Sequence, residues 1–534
     1  MRHGRCCNRL YSGPVTLPAR VASAALGGIC LTLAFPGYGL WPLAPVGVAL
    51  ATLAVLGARA RAGLALGLVT GLAFFVPTLS WAGTDFLGII PWLGLAVLQS
   101  LYFALQGWLS ALLARSGGFV GALGTGLAWV AQESLRSRTP YGGFPWVRLA
   151  FSQADSPLGR WAALGGAPFA TFGTALVGAL LAVAGHTAYR RLRLRGGRPP
   201  AQTPPPRSPL RYAVPALVLG AVGLLVPLPV DGPTARVLAV QGNVPRPGLD
   251  FNAERRAVLD NHARETLAAL ARRGAAGAPP LDLIVWPENS SDIDPVRNLD
   301  AGAVIQSAVQ RAGVPIVVGA LFERPDEIAN VSVVYRPDIG ITDTYVKQHP
   351  VPFAEYIPHR DFYRHLSASV DLLRVGMAIG PGPEVFTMQR AGGPRVLAGP
   401  SICFEVAYDD LVRTNVTEGS TLLLVQTNNA TFGASHESVQ QLAISRIRAI
   451  EHGRSVVHVS TVGVSALIRP DGSLIEPTTL FTAAALDADL PLRESRTLAT
   501  TLGPAPEYLG CVVALLLLAR ALWARRSGKE SPSS

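Results

Sequence analysis

Leu283-Ile284-Val285-Trp286-Pro287-Glu288-Asn289 is the stretch on which the reading of this chain turns. Its four leading apolar residues form a short pattern of the kind found in fully buried strands. Pro287 has no N–H to give a sheet ladder, so it cannot continue a central strand. The chain turns there and presents the Glu288 carboxylate at the strand's end, where α/β folds build their sites.

Working outward, similar strand patterns lie at 236–240, 315–318 and 421–425. A hairpin follows Ala329, with Pro337-Asp338-Ile339-Gly340 as its turn. Later strands are predicted near 455–460 and 464–469, and helices near 252–274, 300–313, 405–417 and 435–452. In the last helix Val439, Leu442, Ala443, Ile447 and Ile450 recur at helical spacing, the mark of a core face. Strands alternating with helices predict a layered α/β domain over 231–500.

Both flanks differ in kind. Only 15% of the chain is charged, and long apolar runs fill the first 230 residues and one segment near the C-terminus. A span needs about 20 largely apolar residues. Candidate spans are 19–36, 40–57, 62–82, 88–114, 118–135, 161–188, 212–229 and 505–524. The expected organisation is a seven-helix membrane bundle (1–230), the α/β domain (231–500), and a last span with a basic tail (501–534). Trp41, Trp81, Trp92 and Trp108 fall near span ends, where amphipathic rings favour the interface.

The net charge of +11 does not imply nucleic acid, since no zinc-finger spacing or basic recognition helix accompanies it. Its distribution instead orients the spans. Arginines before span one, after spans two and four, between spans six and seven (190–211) and at the C-terminus fall on one side if there are eight spans. Basic loops mark the cytoplasm. Both termini are then cytoplasmic and the α/β domain lies outside the cell membrane. Arg136, Arg138, Arg148 and Arg160 disagree, because they fall on the outer side. Docking to the α/β domain or to lipid phosphate would account for them. Glu133 is expected to pair with Arg136 on the same helix face.

Five cysteines are present, and only Cys403 lies in the α/β segment, so that segment forms no internal disulfide. A lone thiol there is either a small buried hydrophobe or a nucleophile. Lysine is rare: Lys347 and Lys529 are the only two among 46 basic residues. Lysine is a compact point charge that a guanidinium does not copy. Lys347 follows the hairpin strand, and Cys403 stands at a strand-to-helix junction, where a helix N-terminus would lower a thiol's pKa. A loop glutamate, an exposed lysine and a core cysteine are the plain alternatives, each taken alone. Together the three fit one reaction. Cys403 attacks an acyl carbonyl, Glu288 takes the thiol proton, and Lys347 stabilises the oxyanion. A thioester forms, and an incoming nucleophile resolves it.

Trp286-Pro287-Glu288, Lys347 with Glu355 eight residues on, and Cys403-Phe404-Glu405 resemble the nitrilase superfamily. The spans, Val240-Gln241-Gly242-Asn243-Val244-Pro245 and Gly143-Phe144-Pro145-Trp146 narrow the resemblance to its membrane branch, the apolipoprotein N-acyltransferases. That resemblance covers nearly the whole chain. It implies an α-β-β-α sandwich, a phospholipid acyl donor, and a diacylglyceryl apolipoprotein acceptor whose N-terminal α-amino group receives the chain. Both substrates sit in the bilayer. No cofactor or metal is implied. By the same match Glu355 orients Lys347, and Glu405 holds the loop after the nucleophile. The sequence departs from the family in having Phe404 where a tyrosine is common. Phe251 stands near an expected tryptophan, and Asn429-Ala430-Thr431-Phe432-Gly433 replaces Asp-Ala-Trp-Phe-Gly. These changes bear on substrate contacts. The segment 350–380 mixes aromatics with His359, Arg360 and Arg364 and reads as an interfacial loop with arginines open to phosphate.

A membrane-anchored amidohydrolase would use the same three residues with water as the acceptor. Eight spans exceed what an anchor needs. A non-catalytic membrane scaffold is the third reading, and the presence of all three polar residues weighs against it.

Overall fold

The computed structural model describes residues 16–84, 88–195, 207–244, 255–365, 370–371, 373, 375–390 and 393–527. It divides into two compact units, Met1–Pro227 with Leu502–Ser534, and Leu228–Thr501.

In the first unit a helix occupies each of the eight expected spans: Leu17–Ala34, Leu43–Val55, Ala60–Thr78, Ile89–Leu113, Gly118–Arg136, Ala162–Arg195, Leu210–Val222 and Ala505–Ser527. Among the described residues, five helical segments have the length and apolar composition to cross a membrane, while those at Leu43–Val55 and Leu210–Leu225 are shorter. Thirteen residues rise only about 20 Å against a hydrocarbon core of about 30 Å. Hydropathy alone does not separate such a short helix from a full span. The sixth helix is broken at Gly165-Gly166, where Gly166 has φ 78°.

Small residues let the helices approach closely. A Cβ on Gly67 would stand 2.1 Å from the Phe103 carbonyl and 3.0 Å from Gly107 Cα. Only glycine allows helices Ala60–Thr78 and Ile89–Leu113 to meet at that point.

Three of the arginines that disagreed with the expected orientation have partners within this unit. Arg136 is fully buried and donates to the carbonyls of Phe144 (3.0 Å) and Trp146 (2.7 Å). It thereby shapes the 144–147 loop. Glu133 does not take Arg136 as its partner. Its carboxylate accepts from Leu149 N at 2.7 Å and Thr171 Oγ1 at 2.8 Å, with Arg148 Nε at 3.6 Å. Arg138 makes a two-pronged pair with Glu507 at 2.9 and 2.7 Å. Arg136, Arg138 and Arg148 thus each have a protein partner. Trp81 is also buried, against Trp146 at 5.8 Å, and is not an interfacial ring.

The second unit holds two six-stranded sheets. In chain order the strands are β1 (Thr234–Gln241), β2 (Leu283–Val285), β3 (Ile316–Glu323), β4 (Ile328–Arg336), β5 (Gly340–Val346), β6 (Phe386–Met388), β7 (Val396–Ile402), β8 (Leu422–Thr427), β9 (Ser455–Ser460), β10 (Ala466–Ile468), β11 (Leu474–Ile475) and β12 (Ala484–Pro491). The sheet orders are β12-β1-β2-β3-β4-β5 and β11-β10-β9-β8-β7-β6. Side chains alternate between two buried faces. Ala235, Val237 and Ala239 of β1 face the second sheet and pack with residues such as Phe386, Leu424 and Val459. Leu238 and Val240 face outward onto helices Arg255–Ala275 and Leu299–Ala312 through Leu259, Ile305 and Val309. Helices Asp409–Thr417 and Glu437–His452 cover the second sheet. The unit is therefore an α-β-β-α sandwich.

Two local expectations fail. The helix expected from 405 begins at Asp409; residues Cys403–Ala407 form a tight 3₁₀ turn instead. β12 was not legible as a strand. In the 350–380 segment, Arg364 pairs with Asp371 at 2.6 Å and Arg360 lies 3.9 Å from the same carboxylate. Residues 366–369, 372 and 374 lie outside the described residues.

Candidate active site

Glu288, Lys347 and Cys403 all stand just beyond strand ends, after β2, β5 and β7, and the two sheets bring them together. Gly319 on β3 makes room for the first. A Cβ there would meet the Pro287 carbonyl at 2.2 Å and Glu288 Cα at 2.6 Å. Thr461 Oγ1 donates to the Glu288 carbonyl at 2.9 Å, and Asn330 Nδ2 and Asn428 N donate to its carboxylate, each at 2.8 Å. Glu288 is thus a buried acid held in one orientation.

Lys347 is 1% exposed. Its Nζ lies 2.7 Å from Glu355 Oε1 and 3.4 Å from Glu288 Oε1. Glu355 is fixed in turn by Val351 N at 2.7 Å. Burial works against the ammonium, but Glu355, Glu288 and Cys403 outweigh it and hold Lys347 above its ordinary value. It is a permanent cation at any working pH.

Cys403 is half-buried and adopts φ 56°, the left-handed region that side chains rarely enter. Such strain gathers at functional sites. Its thiol lies close enough to bond Glu288, and Gln441 Nε2 approaches the sulfur at 3.7 Å. The expected helix N-terminus is absent, and with it the expected acidification. Burial, reinforced by Glu288 and opposed by Lys347, pushes the thiol well above its usual range. Burial also raises the Glu288 carboxyl, with Lys347 opposing. Burial thus shifts both groups of the resting pair toward their neutral forms, with the Lys347 ammonium opposing the shift in each.

Glu405 is fully buried within the turn that follows the nucleophile, and its side chain caps that turn. Its carboxylate accepts from Ile402 N at 2.7 Å, Gln348 N at 2.6 Å, His349 N at 3.0 Å, and Tyr345 OH at 2.9 and 3.0 Å. It ties the backbone beside Cys403 to the backbone beside Lys347. Phe404 packs edge-on to Tyr408, which stacks on His349 at 4.4 Å. Phe251 lies outside the described residues.

Several site residues were not foreseen. Asn330 sits in an apolar strand, where a buried amide is the one available signal. Asp292 is buried with its Oδ2 unpartnered, and burial lifts it to about 7. Glu437, on the helix expected to be core, is buried and raised to about 8, chiefly by burial.

Residues 27–180 match the apolipoprotein N-acyltransferase N-terminal domain, and residues 239–500 match the carbon-nitrogen hydrolase domain. An apolipoprotein N-acyltransferase of Mycolicibacterium smegmatis is 39% identical over 540 residues, covering 96% of this chain and 87% of that protein. One from Azotobacter vinelandii is 32% identical, covering 96% and 97%. One from Vibrio parahaemolyticus is 26% identical, covering 93% and 96%. Both domains, in this order and over this length, place the chain in the apolipoprotein N-acyltransferase family.

Proposed function

We infer that this chain moves an acyl group from a phospholipid to the α-amino group of an apolipoprotein's N-terminal S-diacylglyceryl-cysteine, through a thioester on Cys403. The observation that carries this is the convergence of buried Glu288 and Lys347 with half-buried Cys403 in one site of a chain belonging to that family.

In the first half-reaction Glu288 takes the Cys403 proton as sulfur attacks the ester carbonyl. The developing oxyanion lies near Lys347, already charged and already oriented by Glu355, so little reorganisation is needed. Collapse expels the lysophospholipid oxygen, which receives the proton from Glu288. In the second half-reaction a neutral α-amine attacks the thioester. Its pKa is near 8, so a usable fraction is unprotonated at neutral pH. Glu288 accepts the proton from nitrogen and returns one to the departing sulfur.

The enzyme acts in the cell membrane. Five long apolar helical segments support this among the described residues. The arginines at 190, 191, 193, 207 and 211 support a cytoplasmic loop there, hence an outward catalytic domain and cytoplasmic termini.

The test is intact mass spectrometry of a diacylated lipopeptide incubated with phospholipid and membranes carrying the native chain or Cys403→Ala. One added acyl mass at the α-amino group, with native chain only, is expected. An unchanged lipopeptide with Cys403-dependent release of free fatty acid would make the protein a hydrolase. No product from either membrane would favour the scaffold.

A further inference from the structure

The sulfur of Cys403 has polar neighbours besides Glu288, the Thr427 hydroxyl and the Gln441 amide. Gln441 Nε2 reaches it at 3.7 Å from helix Glu437–His452. An amide can present either its oxygen or its nitrogen, and the surroundings decide which. Here Gln441 Oε1 accepts from Thr427 Oγ1 at 2.8 Å and from Asn429 Nδ2 at 2.9 Å. With two donors on its oxygen, its NH2 must face the sulfur. Asn429 is itself fully committed. Its other N–H donates to Glu437 Oε2 at 2.7 Å, and its Oδ1 accepts from Ser460 Oγ at 2.6 Å. Gln441, Thr427, Asn429 and Ser460 are all buried to 1% exposure or less. An aspartate at 429 could make neither donation. This gives a reason for the asparagine where the family pattern has Asp: Glu437 and Gln441 both require a donor.

We propose that Gln441 directs and stabilises the sulfur of Cys403, and that Asn429, anchored by Glu437, locks the Gln441 amide in the orientation that does so. This deepens the reading above and rests on Cys403 being the nucleophile. Sulfur carries negative charge twice in each cycle, when it attacks the donor ester and when it leaves the tetrahedral intermediate. The site already holds the carboxyls of Glu288, Glu355 and Glu437 against one ammonium. A neutral N–H donor favours the thiolate without adding to that charge. It also fixes the direction from which sulfur approaches the carbonyl.

The test follows iodoacetamide alkylation of Cys403 in the full-length protein in detergent micelles, resolved by peptide mass spectrometry across a pH series. Gln441→Met keeps volume and removes the donor. The expected result is about tenfold slower alkylation at each pH of the series, the equivalent of one unit in the thiol's pKa. kcat should fall while KM for phospholipid stays within about twofold, since the loss is confined to charged sulfur. The pair Asn429→Asp with Glu437→Gln keeps every hydrogen bond satisfiable but turns the Gln441 amide over. It should unfold at the native temperature yet alkylate as slowly as Gln441→Met. Native alkylation profiles in both variants would overturn the proposal. Acyl transfer retained by Cys403→Ala would instead sink the nucleophile assignment, and a different variant reports it.

Discussion

Lys347 stands closer to Glu355 than to Glu288, at 2.7 Å against 3.4 Å. The cation is therefore anchored by an acid that need not move a proton, which leaves Glu288 free to exchange one with sulfur. Lys347→Arg retains the charge, but the planar fork does not fit a 1%-exposed site built for a point charge. Acyl transfer should fall by about 10²–10³-fold in kcat, the usual cost of losing one oxyanion donor. Glu355→Gln should lower kcat less than Lys347→Met, with the thioester forming slowly rather than not at all. Lipopeptide acylation followed by mass spectrometry checks both, and Lys347→Arg at native rate would remove Lys347 from the oxyanion role.

Glu405 should matter through geometry. Its carboxylate satisfies three backbone N–H groups and the Tyr345 hydroxyl. Glu405→Gln turns one of those acceptors into a donor facing a donor. A loss on the order of 3 kcal/mol is expected, as for other buried charged hydrogen-bond partners. The thermal midpoint in detergent should drop, and Cys403 alkylation should slow because Ile402 is released. A native midpoint would refute the tie between the two backbone segments.

Asp292 gives a pH signature. Its folded value is about 7, while an unfolded aspartate titrates near 3.9. Between those values the folded protein keeps a proton that the unfolded chain has lost, so stability falls as pH rises through that window. Asp292→Asn should raise the unfolding midpoint at pH 8 by the equivalent of about 4 kcal/mol at most and leave it unchanged at pH 4. An equal effect at both pH values would rule out this titration.

The buried histidines act with the opposite sign. Burial holds His458 at about 3, His452 at about 3 and His262 at about 4, below the unfolded value near 6.5. Their contribution is complete above about 6.5 and drains away as pH falls toward the folded values. His458, whose Nδ1 meets Ser445 Oγ at 2.8 Å, is the cleanest probe. The fall in midpoint between about pH 6 and pH 4.5 should be shallower in His458→Asn than in the native chain. Parallel falls would assign the acid sensitivity elsewhere.

Much of this arrangement was legible because it depends on period and length. Apolar runs of about 20 residues give away membrane helices, and short apolar runs beside Pro287 or the Pro337–Gly340 turn give away strands. What pairing creates was not legible. β12 reads as a loop because Asp487 and Asp489 interrupt it, yet both meet Arg236 of β1, at 2.6 and 2.7 Å. Those acids suit a strand only once its neighbour is known. The same holds at the site. Helix Glu437–His452 shows a core face in sequence, while Glu437 and Gln441, one turn apart, face the sulfur network. The direction of the Cys403 shift was misread because an α-helix N-terminus was expected where a 3₁₀ turn stands and burial raises the thiol instead.

β1 pairs along its whole length with β12, from Thr234 opposite Pro491 to Gln241 opposite Ala484. The first strand of the catalytic unit is thus completed by its last. During synthesis at about 5–20 residues per second, that edge waits on the order of tens of seconds for its partner to be made. Closing so long a loop is slow, and an open edge invites foreign strands or proteases meanwhile. A chain that stops short of residue 484 never seals it. Quality control could therefore recognise an unfinished copy by one bare strand, before any lipid has been touched.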